Sequence, residues 1–150
     1  MSGTTTMSNP TSLMEKRFRD AIEAVNREGI GALDGLVELY DPYVVFQDPL
    51  QTVYGRDELA ESNRKLIERS RDLYMSVATF VESDDHLFAT WTMSFSPRFG
   101  PRVTIEGCTH GQLRDGLITY QRDYWDLLGS FMETLPAVGL LYRRLTGLLA

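Results

Sequence analysis

The sequence holds one cysteine, Cys108, and two histidines, His86 and His110. A lone thiol excludes an internal disulfide framework and a cysteine-based metal cluster. Two imidazoles do not make a histidine-rich metal site. Positive charge is also short: 15 Lys and Arg against 21 Asp and Glu leave a net charge of -6. Nucleic-acid binders carry a basic patch that displaces counterions, so this balance argues against that class. No apolar run reaches the ~18 residues that span a bilayer. No basic start followed by an apolar stretch marks a signal peptide. No glycine-rich phosphate loop or metal-ligand spacing points to a nucleotide, flavin or metal. The expectation is a cytoplasmic protein with no cofactor and no membrane span.

What is present is a chain of 150 residues, 43% hydrophobic and 24% charged. That is the size of one globular domain, able to bury roughly 68–70% of its unfolded surface. Residues 1–12 are small and polar and are expected to form a disordered tail. Residues 13–150 are expected to form the domain. Ser12 and Glu15 read as a capping box, and Leu13, Phe18, Ile22 and Val25 follow at helical spacing. A short second helix carries Leu33, Leu36, Val37 and Tyr40 on one face and ends at Asp41-Pro42. Tyr43 to Asp48 is extended, Tyr54-Gly55 is a turn, and a third helix spans about Arg56 to Ser70 with Leu59, Asn63, Leu66 and Ile67 inward. Four strands follow, at Leu73–Val81, Leu87–Ser96, Arg102–Leu113 and Leu117–Trp125, with a hairpin turn at Arg114-Asp115-Gly116. An apolar C-terminal helix over 128–150 is expected to pack across the rest as a lid, with a membrane-surface role as the weaker alternative. Helices segregated from an antiparallel sheet indicate α+β. The expected shape is a cone: a curved antiparallel sheet with helices on its concave face and a pocket inside.

Three segments carry a resemblance. Leu33-Asp34-Gly35-Leu36-Val37-Glu38-Leu39-Tyr40, then Val45-Phe46-Gln47-Asp48-Pro49, resembles the second helix and Asp-Pro segment of ketosteroid isomerase. Tyr54-Gly55-Arg56-Asp57 resembles the start of the third helix in related proteins. Arg122-Asp123-Tyr124-Trp125-Asp126-Leu127 is similar to the end of limonene epoxide hydrolase. Together they resemble the nuclear transport factor 2-like superfamily, with its cystatin-like cone and its SnoaL-like polyketide cyclases. The superfamily hosts many chemistries, so the resemblance does not choose one. It implies a homodimer formed through the outer face of the sheet.

The same resemblance nominates residues. Asp48 matches the isomerase general base, which moves a proton alpha to a carbonyl. Its bland alternative is an Asx-type turn. Asp123 matches a carboxylate of the epoxide hydrolase site, and its alternative is a salt bridge with Arg122 or Arg114. The other two members of that hydrolase set fall near Thr92 and Ser94, and its water-holding pair falls on Phe46 and Asp48. The isomerase oxyanion tyrosine has no counterpart around Ala21, and its oxyanion aspartate falls near Thr109. Tyr54, Tyr74, Tyr120 and Tyr124 stand as replacements. Strand alternation places Gln121, Asp123 and Trp125 on one face. His110 is a candidate proton carrier or a structural histidine at a dimer face. Trp91, Met93 and Phe95 form a stripe that reads as core or interface, or else as a ligand wall. The expected site is therefore Asp48, Asp123 and His110 as catalytic groups, with Phe46, Tyr54, Trp125, Thr92 and Ser94 around a small hydrophobic molecule. The expected activity is cofactor-free acid/base chemistry on a hydrophobic carbonyl compound. The rivals are a non-catalytic ligand-binding or dimerisation protein and an epoxide hydrolase with a rearranged site.

Overall fold

The first helix shows how the sequence sets its elements. In the computed structural model, which describes residues 11–132, α1 spans Leu13–Glu28. Ser12 Oγ accepts from the Glu15 amide at 3.0 Å. This satisfies one of the donors a helix start leaves open. The other half of the expected box does not form, because Arg19 Nε holds the Glu15 carboxylate at 2.9 Å. The inward residues are Met14, Phe18 and Ile22. Leu13, expected inward, is 74% exposed, since the stripe begins one position later.

A 3-10 turn at Gly29–Ala32 leads into a single turn of helix, α2, at Leu33–Val37. The second helix is thus shorter than expected, and Tyr40 belongs to the next strand. That strand, β1, runs Tyr40–Gln47. Asp41-Pro42 sits where its register shifts, between Tyr40 and Val45, and a bulge of this kind tolerates a proline with no amide to donate. A short strand, β2, follows at Thr52–Tyr54. It was not expected: its three residues are too few for a periodic signal. Helix α3 is Arg56–Arg69. Then come β3 (Ser70–Ser83), β4 (His86–Pro97), β5 (Val103–Arg114) and β6 (Leu117–Trp125). The β5–β6 hairpin turns through Asp115 and Gly116 at φ 52° and 72°, as a tight hairpin of this twist requires. Helix α4, Leu127–Met132, closes the described chain. Most of the expected tail over 1–12, and the expected C-terminal helix beyond Met132, lie outside the described residues.

The six strands form one curved, unclosed sheet in the order β2-β1-β6-β5-β4-β3. The expectation of a purely antiparallel sheet needs one correction. β1 pairs with β6 in parallel, with Phe46 opposite Gln121, while the other pairings are antiparallel. The fold is α+β, with α1 and α3 on the concave face. The main core lies between them and the sheet, built on Phe18, Leu33, Val44, Leu59, Leu87 and Ile118.

A single amide ties α1 to β3. Asn26 Nδ2 donates to the Met75 carbonyl at 2.7 Å, and its Oδ1 accepts from the Met75 amide at 2.9 Å. Arg19 donates to the Val77 carbonyl, where β3 shifts register against β4. Replacing Asn26 by Ala strands two backbone groups, and should lower stability by about 2 kcal/mol. Urea unfolding would show this as a lower midpoint with an unchanged slope.

Candidate functional site

Alternation along the strands divides the sheet into two faces. On β4, Leu87, Ala89 and Trp91 are buried on the concave side, whereas His86, Phe88 and Thr90 are exposed. On β5, the concave set is Val103, Ile105 and Thr109. On β6 it includes Gln121, Asp123 and Trp125. Between this face and the helices lies a cavity of about 970 Å³. Its inner end is walled by Phe46, Trp91, Met93, Phe95, Ile105 and Trp125, and residues of α3, including Glu61, Lys65 and Arg69, also line it. The volume lies at the upper end of the ~300–1,000 Å³ usual for small-molecule pockets.

Asp123 sits deep in this apolar end. Thr109 Oγ donates to its Oδ1 at 2.6 Å, and Gln121 Nε2 donates to the same oxygen at 2.9 Å. Behind each donor stands another. The Trp91 indole donates to Thr109 Oγ at 2.9 Å, and the Tyr40 hydroxyl donates to Gln121 Oε1 at 2.9 Å. Burial pushes the Asp123 carboxyl up to about 6. The bonds from Thr109 and Gln121 oppose the rise, and the charge of Asp48 adds to it. Burial also drives Tyr40 upward, with the Asp123 charge adding to it and the Gln121 bond opposing. Among the described residues no ion pair reaches Asp123. The salt bridge weighed for it does not form. Arg122 lies over the Tyr124 ring at 5.0 Å, and Arg114 faces Asp41 at 3.9 Å.

Trp91 needs a glycine opposite. A Cβ on Gly107, its cross-strand partner, would fall 2.5 Å from Trp91 Cζ2. The bare backbone of Gly107 is therefore the seat of the indole that polarises Thr109.

Asp48 lines the cavity as well, but its oxygens are engaged. Oδ1 accepts from the amides of Leu50 at 2.7 Å and Gln51 at 3.0 Å, and Gln51 Nε2 approaches Oδ2 at 3.3 Å. This is the Asx turn that links β1 to β2. Phe46, Asp48, Asp123 and Trp125 are thus brought together, and four expected site residues are not. Thr92 and Ser94 share the outer face, because the odd residues of β4 point inward. Tyr54 is 65% exposed. His110 is on the outer face too, where its Nε2 meets His86 Nδ1 at 2.9 Å and its ring stacks on Phe88. Tyr74 and Tyr124 are exposed, and the Tyr120 hydroxyl donates to Gln47 at 3.0 Å. The tyrosine that does join the site is Tyr40, which the helical pattern had placed elsewhere.

The SnoaL-like domain family matches residues 18–121, more than half of the sequence. The chain belongs to that family. No curated protein matches it. Solved structures share the SnoaL-like chain's fold at low identity. An NTF2-like protein of unknown function from Exiguobacterium sp. 255-15 is 24% identical, with a TM-score of 0.65 over 76% of this chain and 98% of that one. A protein with a ketosteroid isomerase-like fold from Catenulispora acidiphila DSM 44928, solved with trimethylamine, is 16% identical. Its TM-score is 0.69 over 83% of this chain and 92% of that one. An LEH-like epoxide hydrolase of M. tuberculosis is 18% identical, with a TM-score of 0.64 over 86% and 97%. No helix among the described residues of the SnoaL-like chain is long and apolar enough to cross a membrane. Among the same residues, no group of three or more His, Cys, Asp or Glu converges as a metal would need.

A buried carboxyl of raised pKa has a thermodynamic signature. Between its unfolded value, 3.8, and its folded value, about 6, the folded state binds more protons, so stability falls as pH rises through that window. At ~1.4 kcal/mol per pH unit the loss reaches about 3 kcal/mol by neutrality. Asp123→Asn keeps an oxygen that both donors can reach. It should be roughly 1–3 kcal/mol more stable than the wild type at pH 7, and no more stable at pH 4. Thermal unfolding of both proteins across that range measures the difference.

Proposed function

We propose that the cavity binds a neutral hydrophobic carbonyl compound and that Asp123 moves a proton on it, without a cofactor, in an isomerase, cyclase or dehydratase type of reaction. The observation that carries this reading is one carboxyl, deep in an aromatic-lined cavity, with its pKa brought near working pH. General acid/base groups work best in that range. The apolar walls favour a ligand that is neutral, and flat rings pack well on Trp91, Trp125 and Phe95. Asp48 lines the same cavity. Its charge helps keep a proton on Asp123.

An epoxide substrate is the second reading. A protonated Asp123 can donate to an epoxide oxygen as it would to a carbonyl, and the segment Arg122 to Leu127 is similar to the end of limonene epoxide hydrolase. The outward placement of Thr92 and Ser94 weighs against copying that enzyme's site. For partners, we propose a homodimer through the outer face, where Tyr74, Phe88 and Tyr124 are exposed. The single exposed thiol of Cys108 suits a reducing, cytoplasmic setting.

The deciding experiment is turnover of a panel of hydrophobic ketones, hydroxyketones and epoxides by the wild type, Asp123→Asn and Asp48→Asn. Asp123→Asn should lose at least about 100-fold in kcat. Asp48→Asn should lose less and shift the pH profile. Full activity in Asp123→Asn would overturn the reading. Tight binding of a panel member that is released unchanged would favour a binding protein instead.

A further inference from the structure

When Asp123 is ionised, the hydrogen bonds around it have a direction that only one arrangement of protons permits. The Trp91 indole nitrogen can donate but not accept. Thr109 Oγ receives that bond, and its own proton goes to Oδ1 of the ionised carboxylate, which can only accept. An oxygen facing the Thr109 proton must accept. This settles the Gln121 amide as well: its Nε2 faces Oδ1, because the reverse orientation would set two acceptors against each other. Gln121 Oε1 is then free to accept from Tyr40. Two donor chains, Trp91 to Thr109 and Tyr40 to Gln121, thus converge on a single oxygen. The other oxygen, Oδ2, receives no hydrogen bond among the described residues. No fully buried side-chain oxygen or nitrogen there lacks a partner, so Oδ2 is not fully enclosed, and Asp123 lines the cavity.

We infer that Thr109 and Gln121 are positioning residues that hold the exchangeable proton of Asp123 on Oδ2, on the side where a ligand's acceptor oxygen would lie. Protonating Oδ1 would oppose two donors at once. Protonating Oδ2 costs no existing bond and leaves Oδ1 as the carbonyl oxygen that both donors already fit. When Oδ2 gives up its proton, the same two donors stabilise the charge left on the carboxylate. The site therefore needs no rearrangement between its acid and base forms. A ligand taking this proton presents a neutral acceptor at Oδ2, such as a carbonyl or ether oxygen.

This inference rests on the acid role proposed above, but its test needs no substrate. Carboxyl carbon-13 NMR would follow the titration of Asp123 in the wild type, Thr109→Val, Gln121→Leu and Thr109→Ser. Amide nitrogen-15 spectra would verify that each variant is folded. Losing a donor to the carboxylate should raise the Asp123 midpoint by about one pH unit in Thr109→Val and similarly in Gln121→Leu. Thr109→Ser keeps the hydroxyl and should titrate as the wild type. Below the midpoint, the infrared carbonyl band of the protonated acid should move to higher frequency in Thr109→Val and Gln121→Leu, since Oδ1 has lost a donor. A carbonyl band that stays in place in both would put the proton on Oδ1 and overturn the inference. So would unchanged midpoints, or a Thr109→Ser shift equal to that of Thr109→Val. Any of these results leaves the acid role itself standing, because that role falls only if Asp123→Asn turns over substrate normally.

Discussion

A carboxyl buried with no counter-cation among the described residues is the constraint around which the concave face is organised. An ionised carboxylate in an apolar site is costly unless something stabilises its charge. An arginine would do so most strongly, but it would also hold the group ionised at neutral pH and remove its use as an acid. The structure instead supplies neutral donors: a threonine hydroxyl and a glutamine amide, each supported by an aromatic donor behind it. These lower the cost of ionisation without abolishing protonation. Around them, Phe46, Trp91 and Trp125 provide apolar walls. The two demands compete, and burial wins by a moderate margin.

The two faces of the sheet serve different ends through one alternation. The inward residues of β4, β5 and β6 build the cavity and its hydrogen-bond network. The outward residues carry the stacked Phe88 and His110, the His86 pairing and the Arg122–Tyr124 contact. The outer face exposes Tyr74, Phe88 and Tyr124, and its histidines are occupied with one another. That is why His110, attractive by residue type, stands apart from the cavity chemistry.

Much of this architecture was legible in the sequence, and the omissions have physical causes. Helix α3 and strand β6 were readable because their patterns are long and cleanly bounded by Gly55 and by Asp115-Gly116. The grouping of Gln121, Asp123 and Trp125 followed from a period of two. The same period could not say which half of β4 points inward, since both halves contain large apolar residues. Resemblance alone nominates Thr92 and Ser94, and the pattern leaves Trp91 between core and ligand wall. The helical pattern misplaces Tyr40 because Asp41-Pro42 signals the end of a helix, whereas here it occupies a bulge in a strand. Asp48 was readable as either a base or a turn, and the geometry makes it a turn residue at the cavity. The network itself had no local signal. A hydrogen bond between Tyr40 and Gln121 joins residues 81 positions apart, beyond the reach of any spacing rule.

That separation has a kinetic meaning. β1 and β6 lie side by side and parallel, so their C-terminal ends deliver Asp48 and Asp123 to the same region of the cavity. Contacts between distant segments are entropically late in folding, because a long loop must close before they form. The β3–β6 meander can assemble from neighbouring hairpins, but β1 must return across the whole of it to reach β6. Tyr40 arrives with β1, and only then is the second donor chain to Asp123 complete. Until that closure the carboxyl is wetter and lacks one of its two supports, so its tuned proton affinity belongs to the finished fold.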